Sequence, residues 1–246
     1  MTNQKNQMKI KITANGPYIV SGGVPLLEKI IEPNGNAYIY KDGRKLPQKE
    51  NYALCRCGKS KNQPFCDQSH MRAKFNKAEK ASRDRFIERA ERIAGPDLDL
   101  LDDGRCAYAR FCHREEGTAW TLVLRSDDPA CRAEAIIAAI ECPAGRLEVY
   151  GKDGQLIEPE LDPAVEILQD PEEEVSGPIY VKGGIPIESA DGYTYEIRNR
   201  VTLCRCGKSR MMPFCDASHI AAGFSDHSVR YEILPQVPED ESKTAK

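Results

Sequence analysis

The sequence has no apolar run of membrane-spanning length, no marked excess of charge and no recognisable catalytic motif. Its formal net charge is −3, which argues against a basic nucleic-acid-binding domain. No stretch approaches the roughly 20 apolar residues of a transmembrane helix. A phosphate loop, a nucleophile elbow and a His-Glu-x-x-His helix are all missing, so nothing in the pattern predicts an enzyme. The N-terminal sequence resembles neither a signal peptide nor a transit peptide, so we expect a cytoplasmic protein without a membrane or nucleic-acid partner.

Histidine is also scarce, and this makes its placement informative. The chain has only four histidines and ten cysteines. Two of the histidines and six of the cysteines fall in one motif that occurs twice. The motif reads CRCGKSKNQPFCDQSH and then CRCGKSRMMPFCDASH. Each copy holds three cysteines, an odd number, which does not suit a closed disulfide set. Three thiolates and one imidazole at short, fixed spacing instead predict a metal centre in each copy. The predicted ligand sets are Cys55, Cys57, Cys66 and His70, and Cys204, Cys206, Cys215 and His219.

The ligand types alone leave two kinds of metal centre open. A Cys3His set suits structural zinc, but zinc ligands usually come as two close pairs of the Cys-x2-4-Cys kind. Here one residue separates Cys55 from Cys57, and the other two ligands follow in a single further loop. This spacing, with Ser60, Pro64 and the Cys-Asp-x-Ser-His ending, resembles the CDGSH iron-sulfur (NEET) family. The resemblance implies one [2Fe-2S] cluster in each copy, held by three cysteines and one histidine.

One position departs from the family motif in both copies. The glycine of Cys-Asp-Gly-Ser-His is replaced by Gln68 in the first copy and by Ala217 in the second. If this position requires a positive φ, a residue with a Cβ makes the turn strained there or gives it a different shape.

The repeat continues upstream of the ligands and predicts the fold class. Residues 16–26 parallel residues 177–187, and the offset between copies changes from 161 there to 149 at the cysteines. The first copy therefore carries 12 extra residues between its strand and its site. Short β-rich runs between Gly-Gly and Pro turns, with further strands at 37–40 and 193–197, predict small β units. We expect a mainly β, α+β protein. Its predicted parts are a first CDGSH unit (1–82), a connector with a middle domain (83–158), a second CDGSH unit (159–234) and a disordered tail (235–246).

The middle domain holds the other four cysteines. We predict a strand at 119–124, a helix that starts at Asp128-Pro129, an apolar helix face of Ile136, Ile137 and Ile140, and a returning strand at 147–150. The region 105–150 resembles the divergent single-cluster [4Fe-4S] ferredoxin-like domain that often accompanies CDGSH motifs in bacterial proteins. The residues that carry this resemblance are Arg105-Cys106-Ala107, Cys112 and Cys142-Pro143-Ala144-Gly145.

A third cluster would use Cys106, Cys112 and Cys142, with a fourth ligand unidentified. Cys131 lies eleven residues before Cys142, about 16 Å along one helix, which is too far to share a compact cluster. His113 is adjacent to Cys112, and adjacent residues rarely converge on one metal. A middle domain without a cluster is the open alternative.

These patterns predict an iron-sulfur protein that acts in electron transfer or in cluster storage and transfer. Its partner would be a redox protein or an apo-acceptor protein. Because relatives with one motif form homodimers, two motifs in one chain suggest a monomer with an internal pseudo-twofold pair. The alternative is a zinc-stabilised interaction module that docks through the charged segment 76–94, which itself fits either a surface helix or an extended connector.

Overall fold

The computed structural model describes residues 8–228, so the predicted tail at 235–246 lies outside the described residues. Within this range the chain forms short strands and few helices, which confirms the mainly β, α+β class. The strands are β1 Lys9–Ile12, β2 Tyr18–Ser21, β3 Leu26–Asn34, β4 Ala37–Asp42, β5 Asn51–Leu54, β6 Glu91–Ala94, β7 Leu98–Asp102, β8 His113–Arg114, β9 Gly117–Thr118, β10 Leu147–Gly151, β11 Ala164–Asp170, β12 Val175–Lys182, β13 Ile187–Glu188 and β14 Arg200–Leu203. The helices are α1 Ser69–Arg72, α2 Phe86–Arg89, α3 Ala119–Val123, α4 Pro129–Ile140 and α5 Ser218–Ala221.

The two motif-bearing parts of the chain interleave their strands in two sheets. One sheet has the order β13-β1-β2-β5 and the other β14-β12-β11-β3-β4. β1 therefore pairs in parallel with β13, and β3 in parallel with β11. One apolar core joins residues of both parts, among them Ile10, Val20, Ile167 and Leu203. The boundaries at 82 and 158 remain a prediction, but strands from both sides of the middle segment share the same sheets and core.

Position in the sheets explains the burial of the strands. β1 alternates exposed and buried residues, as expected for a strand with one face on the core. β11 is buried at every residue because strands flank it on both edges and both of its faces are covered. The first copy's extra residues fall in the β3–β4 hairpin region, where Lys29 and Lys41 pair with acids on the exposed edge.

The middle segment forms its own three-stranded sheet, in the order β10-β7-β6, packed on α3 and α4. The predicted helix start is confirmed, since the Asp128 carboxylate accepts from the backbone N–H of Ala130 and Cys131 at the N-terminus of α4. The strand at 147–150 is also confirmed within β10. The predicted strand at 119–124 is wrong, because these residues form α3, whose first turn is held by Thr118 and Thr121.

Of the predicted isoleucine face of α4, Ile136 packs against the middle core. The fully buried residues of this helix are Ala135, Ala138 and Ala139, whereas the isoleucines are only partly buried. Small side chains let α4 approach α3 and the sheet closely, and this close approach could not be read from hydrophobicity alone.

The sequence left segment 76–94 open between two structures, and it predicted a strand at 193–197 that the structure does not contain. Segment 76–94 is not one surface helix; it is an extended connector that contains the four-residue α2 and then enters β6. Residues 193–197 do not form a strand and make only an isolated bridge, between Thr194 and Glu188. Among residues 8–228 the structure contains no helix with the length and apolar character needed to cross a membrane.

Candidate metal centres

The first motif forms a loop that folds back on the end of β5. The backbone N–H of Cys55 donates to the carbonyl of Pro64 at 2.8 Å, and that of Cys66 donates to Ala53 at 2.9 Å. The following turn leads into α1, which carries His70. These contacts place the Sγ atoms of Cys55 and Cys57 3.7 Å apart and place Cys66 Sγ 3.4 Å from Nδ1 of His70.

The second motif repeats this geometry at the end of β14. Cys204 donates to Pro213 at 2.8 Å and Cys215 to Thr202 at 2.9 Å. The Sγ atoms of Cys204 and Cys206 are 3.6 Å apart, and Cys215 Sγ is 3.5 Å from Nδ1 of His219. The structure thus brings each predicted ligand set together as two pairs of side chains.

The spacing within each pair fits two ligands on one metal atom. Two sulfurs bound tetrahedrally at about 2.3 Å lie about 3.8 Å apart, and a sulfur and an imidazole nitrogen lie about 3.5 Å apart. The two pairs of one loop do not merge. Over residues 8–228, no three His, Cys, Asp or Glu side chains gather closely enough to surround a single ion. Each pair by itself therefore has the spacing of two ligands on one metal atom.

A carboxylate and a hydroxyl shape each loop. Asp67 accepts from the backbone N–H of Lys61 and of Ser69, both at 2.9 Å, and Asp216 does the same with Arg210 and Ser218. The N–H of Lys61, together with the hydroxyl and N–H of Ser69, holds the pKa of Asp67 below its ordinary value. Ser60 donates to the carbonyl of Phe65. The two aspartates thus hold their own loops through backbone N–H groups.

The residues that replace the motif glycine both have a left-handed backbone conformation. Gln68 has φ 67° and ψ 9°, and Ala217 has φ 63° and ψ 6°. Each replacement is strained by roughly 1–2 kcal/mol for the clash between its Cβ and the backbone. The turn keeps the shape that glycine would adopt freely, and the N–H of Gln68 points at Cys66 Sγ, 3.4 Å away.

The two loops meet back to back through a pair of glycines. A Cβ on Gly58 would lie 2.7 Å from the carbonyl carbon of Cys206, and a Cβ on Gly207 would lie 2.7 Å from that of Cys57. Both glycines also have a positive φ. Each loop therefore rests on a ligand residue of the other, and no larger side chain fits between them.

Sequence reasoning missed the residues that anchor the loops. Arg56 and Arg205 are 2% and 1% exposed and donate to the backbone of Gly16 and Gly177. Tyr18, from β2, donates to the carbonyl of Cys204 at 2.8 Å and so supports the second loop from the first half of the chain. One sequence signal could have pointed to these arginines: both copies have arginine at the residue between the first two predicted ligands.

The middle cysteines separate into two groups. Cys106, Cys112 and Cys142 line one small cavity together with Trp120 and Arg146. The N–H of Tyr108 points at Cys106 Sγ, 3.3 Å away, and burial raises the pKa of Cys112 to about 12.

The two doubtful ligands lie elsewhere. Cys131 lies in the first turn of α4 and packs against the middle core, while His113 is exposed on β8; neither lines the cavity. The cavity borders the second motif, because Cys215 packs with Ala107 and Ala144, the residues that follow Cys106 and Pro143.

Comparison with known proteins agrees with this geometry. The family model described as "Iron-binding zinc finger CDGSH type" matches residues 15–71 and 176–220. The two matches coincide with the two copies of the motif, so the chain carries tandem CDGSH motifs of a family described as iron-binding. The matched ranges leave the middle segment uncovered. Neither the curated proteins nor the solved structures gave a match to the chain.

Proposed function

We propose that each CDGSH loop holds a [2Fe-2S] cluster and that the protein acts in electron transfer or in cluster storage and transfer. The observation that carries this proposal is the division of each ligand set into two pairs, each with the spacing of ligands on one metal atom. Cys55 and Cys57 would hold one iron, and Cys66 and His70 the other. The second set would divide in the same way.

A bound cluster of this kind supplies one-electron redox chemistry, and replacing a thiolate by a neutral imidazole raises its potential. The chain's own residues position and shield it. Backbone N–H groups of the loops point at the thiols, and burial removes water from Cys55 and Cys204, which are each 1% exposed. The alternative, a zinc-stabilised interaction module, would need four ligands converging on one ion, which the two separated pairs do not favour.

Counting iron, zinc and acid-labile sulfide in anaerobically purified protein tests this proposal. We expect about four iron and four sulfide per chain from the two loops, with a visible absorption spectrum. A colourless protein with about two zinc per chain would contradict it.

We further propose that Cys106, Cys112 and Cys142 hold an additional iron-sulfur cluster. Three thiols that line one small cavity, with a backbone N–H directed at Cys106, support it. Since Cys131 and His113 lie away from the cavity, the protein would supply three ligands only. We expect Cys112→Ser to lower the iron and sulfide content, and Cys131→Ser to leave both unchanged. Equal content in the two variants would leave the middle cavity without a cluster.

The two roles within the proposal have separate assays. Electron exchange with a reductase would indicate a redox partner, and delivery of iron and sulfide to an apo-acceptor protein would indicate a transfer partner. We propose that the chain works in the cytoplasm as a monomer in which the two loops form a pseudo-twofold pair. The reciprocal contact of Gly58 and Gly207 supports this pairing. A dimer in sedimentation analysis would contradict it.

A further inference from the structure

The two metal loops differ most in the charge that surrounds them. Residues 55–80 contain seven basic and two acidic residues, whereas the corresponding residues 204–229 contain three basic and two acidic residues. This concentration of positive charge stands out in a chain whose net charge is −3. Residues with the same motif positions therefore create different electrostatic surfaces.

The excess charge lies beside His70 and is exposed. We call the set Lys59, Lys61, Arg72 and Lys74 the His70 face; all four are exposed. Lys61 is tied to the loop by its N–H bond to Asp67, and Arg72 reaches back to the hydroxyl of Ser69 at 3.2 Å. Lys61 and Arg72 are thus held against the segment from Cys66 to His70, and Lys59 and Lys74 lie close to them in the chain.

The three lysines of this face have no acidic partner within the described part of the chain. Within residues 8–228, Lys59, Lys61 and Lys74 make no ion pair. In the second loop, by contrast, Arg210, which corresponds to Lys61, lies 3.3 Å from its own Asp216. Unpaired cations beside a half-exposed ligand form a surface that attracts negative charge and steers encounter.

We propose that the His70 face is the docking surface for an acidic one-electron-carrier protein. This proposal rests on the proposed function and names the chemistry of its partner. Exposed Met71, 68% accessible, supplies an apolar contact at the centre of the face. Among the described residues 59–77 no aromatic side chain is exposed, so the stacking platform that single-stranded nucleic acid requires is missing. Small, charge-steered contacts are typical of transient redox complexes.

The test compares two charge reversals at matched motif positions in the full-length protein. Lys59→Glu with Lys61→Glu changes the His70 face, and Lys208→Glu with Arg210→Glu makes the same change in the second loop. The probe is an acidic flavodoxin, titrated by calorimetry at low and at physiological ionic strength. We expect the first variant to weaken binding by about tenfold or more, the second by less than about twofold, and salt to weaken wild-type binding.

Several results would overturn the proposal. These are equal losses in the two variants, a wild-type protein that does not bind flavodoxin, or tighter binding of a single-stranded oligonucleotide than of flavodoxin. Iron and sulfide are counted in every variant. Unchanged counts with unchanged flavodoxin binding would reject the docking surface while the proposed function stands, whereas iron-free wild-type protein would reject the proposed function itself.

Discussion

The two metal loops have nearly the same internal geometry and very different surroundings. Their paired ligand distances agree within 0.1 Å, at 3.7 and 3.6 Å for the two Cys-x-Cys pairs and 3.4 and 3.5 Å for the Cys/His pairs. His219 and Cys215 are each 3% exposed, whereas His70 and Cys66 are only partly buried. The motif therefore fixes how the ligands meet, and the rest of the chain decides how far water and partners reach them.

The difference comes from the segment between the repeats. The backbone N–H groups of Lys80 and Ala81 both donate to the carbonyl of Met212, so the connector crosses the second loop. Arg105 lies 4.4 Å over the ring of Phe214, and Ala107 packs on Cys215. These contacts cover the second loop and leave the first one open. The segment between the two repeats thus leaves one sheltered site and one accessible site.

We expect the largest effect from substitutions that disrupt the contact between the two loops. Gly58→Ala and Gly207→Ala would each force a Cβ into a ligand residue of the other loop. We expect each to destabilise the fold by about 3 kcal/mol or more, since steric overlap adds to the strain of a positive φ. Urea unfolding and iron content measure this. Gly154→Ala is the control, because Gly154 also has a positive φ but meets nothing within 4 Å. Equal losses at Gly154 and Gly58 would refute the back-to-back contact.

The second prediction concerns the buried arginines. Arg205 pairs with Asp226 at 2.6 Å, both side chains being at most 1% exposed, whereas Nη1 of the equivalent Arg56 has no partner among the described residues. Asp226→Asn should cost about 3 kcal/mol, because it leaves a buried guanidinium without its carboxylate. Burial by itself would raise the pKa of Asp226, but Arg205 and Ser228 hold it below its ordinary value. The contribution is therefore present above the unfolded pKa of about 4 and is lost as the pH falls through the lowered folded pKa.

A converse variant sharpens this comparison. Lys77 occupies the position that Asp226 holds in the second copy, at the same offset of 149 that relates Phe75 to Phe224. Lys77→Asp should stabilise the first loop by up to about 1 kcal/mol. Urea unfolding from pH 8 down to about pH 3 tests both substitutions and the predicted loss in acid. A loss below about 1 kcal/mol in Asp226→Asn would contradict the buried pair's role.

The third prediction uses acid to separate the two sites. Burial, followed by the charge of Arg205, lowers the pKa of His219 to about 4, so its imidazole stays neutral to a lower pH than a free histidine. Without metal, the unfolded state binds more protons than the folded state between pH 6.5 and about 4, so stability falls as the pH falls through this range. With metal bound, we expect two phases of iron loss, the first from the accessible His70 site.

Absorbance after stepwise acidification measures the phases. His70→Cys should remove the phase at higher pH, and His219→Cys the phase at lower pH, because a thiolate replaces the protonatable imidazole. A single phase that neither substitution alters would show that accessibility does not control acid loss.

The smallest expected effect relieves the left-handed turn. Gln68→Gly and Ala217→Gly should each stabilise the protein by about 0.5–1 kcal/mol, since the relief of strain exceeds the added freedom of the unfolded chain. The gains should be similar, because the two φ angles differ by only a few degrees, at 67° and 63°. Thermal unfolding at fixed metal loading measures them. Destabilisation by either glycine would mean that the side chain makes a contact worth more than the strain.

The sequence by itself determined the features that depend on neighbouring residues. The spacing of Cys55, Cys57, Cys66 and His70 predicts which side chains meet, because a sixteen-residue loop constrains them directly. Asp128-Pro129 predicts the start of α4 because the cap bonds its own first turn. The missing motif glycine likewise pointed to a turn with positive φ, and Gln68 and Ala217 adopt it.

The tertiary structure decided what distant parts of the chain do to one another. Pairing of β1 with β13, support of Cys204 by Tyr18 and the contact of Gly58 with Cys206 join residues more than 140 positions apart, and no local pattern records such pairs. Residues 119–123 look like a strand but form a helix, because packing on alanines of α4 outweighs a weak local preference. The burial of His219 has the same origin. Two nearly identical loops differ in exposure only because the connector and middle segment cover one of them.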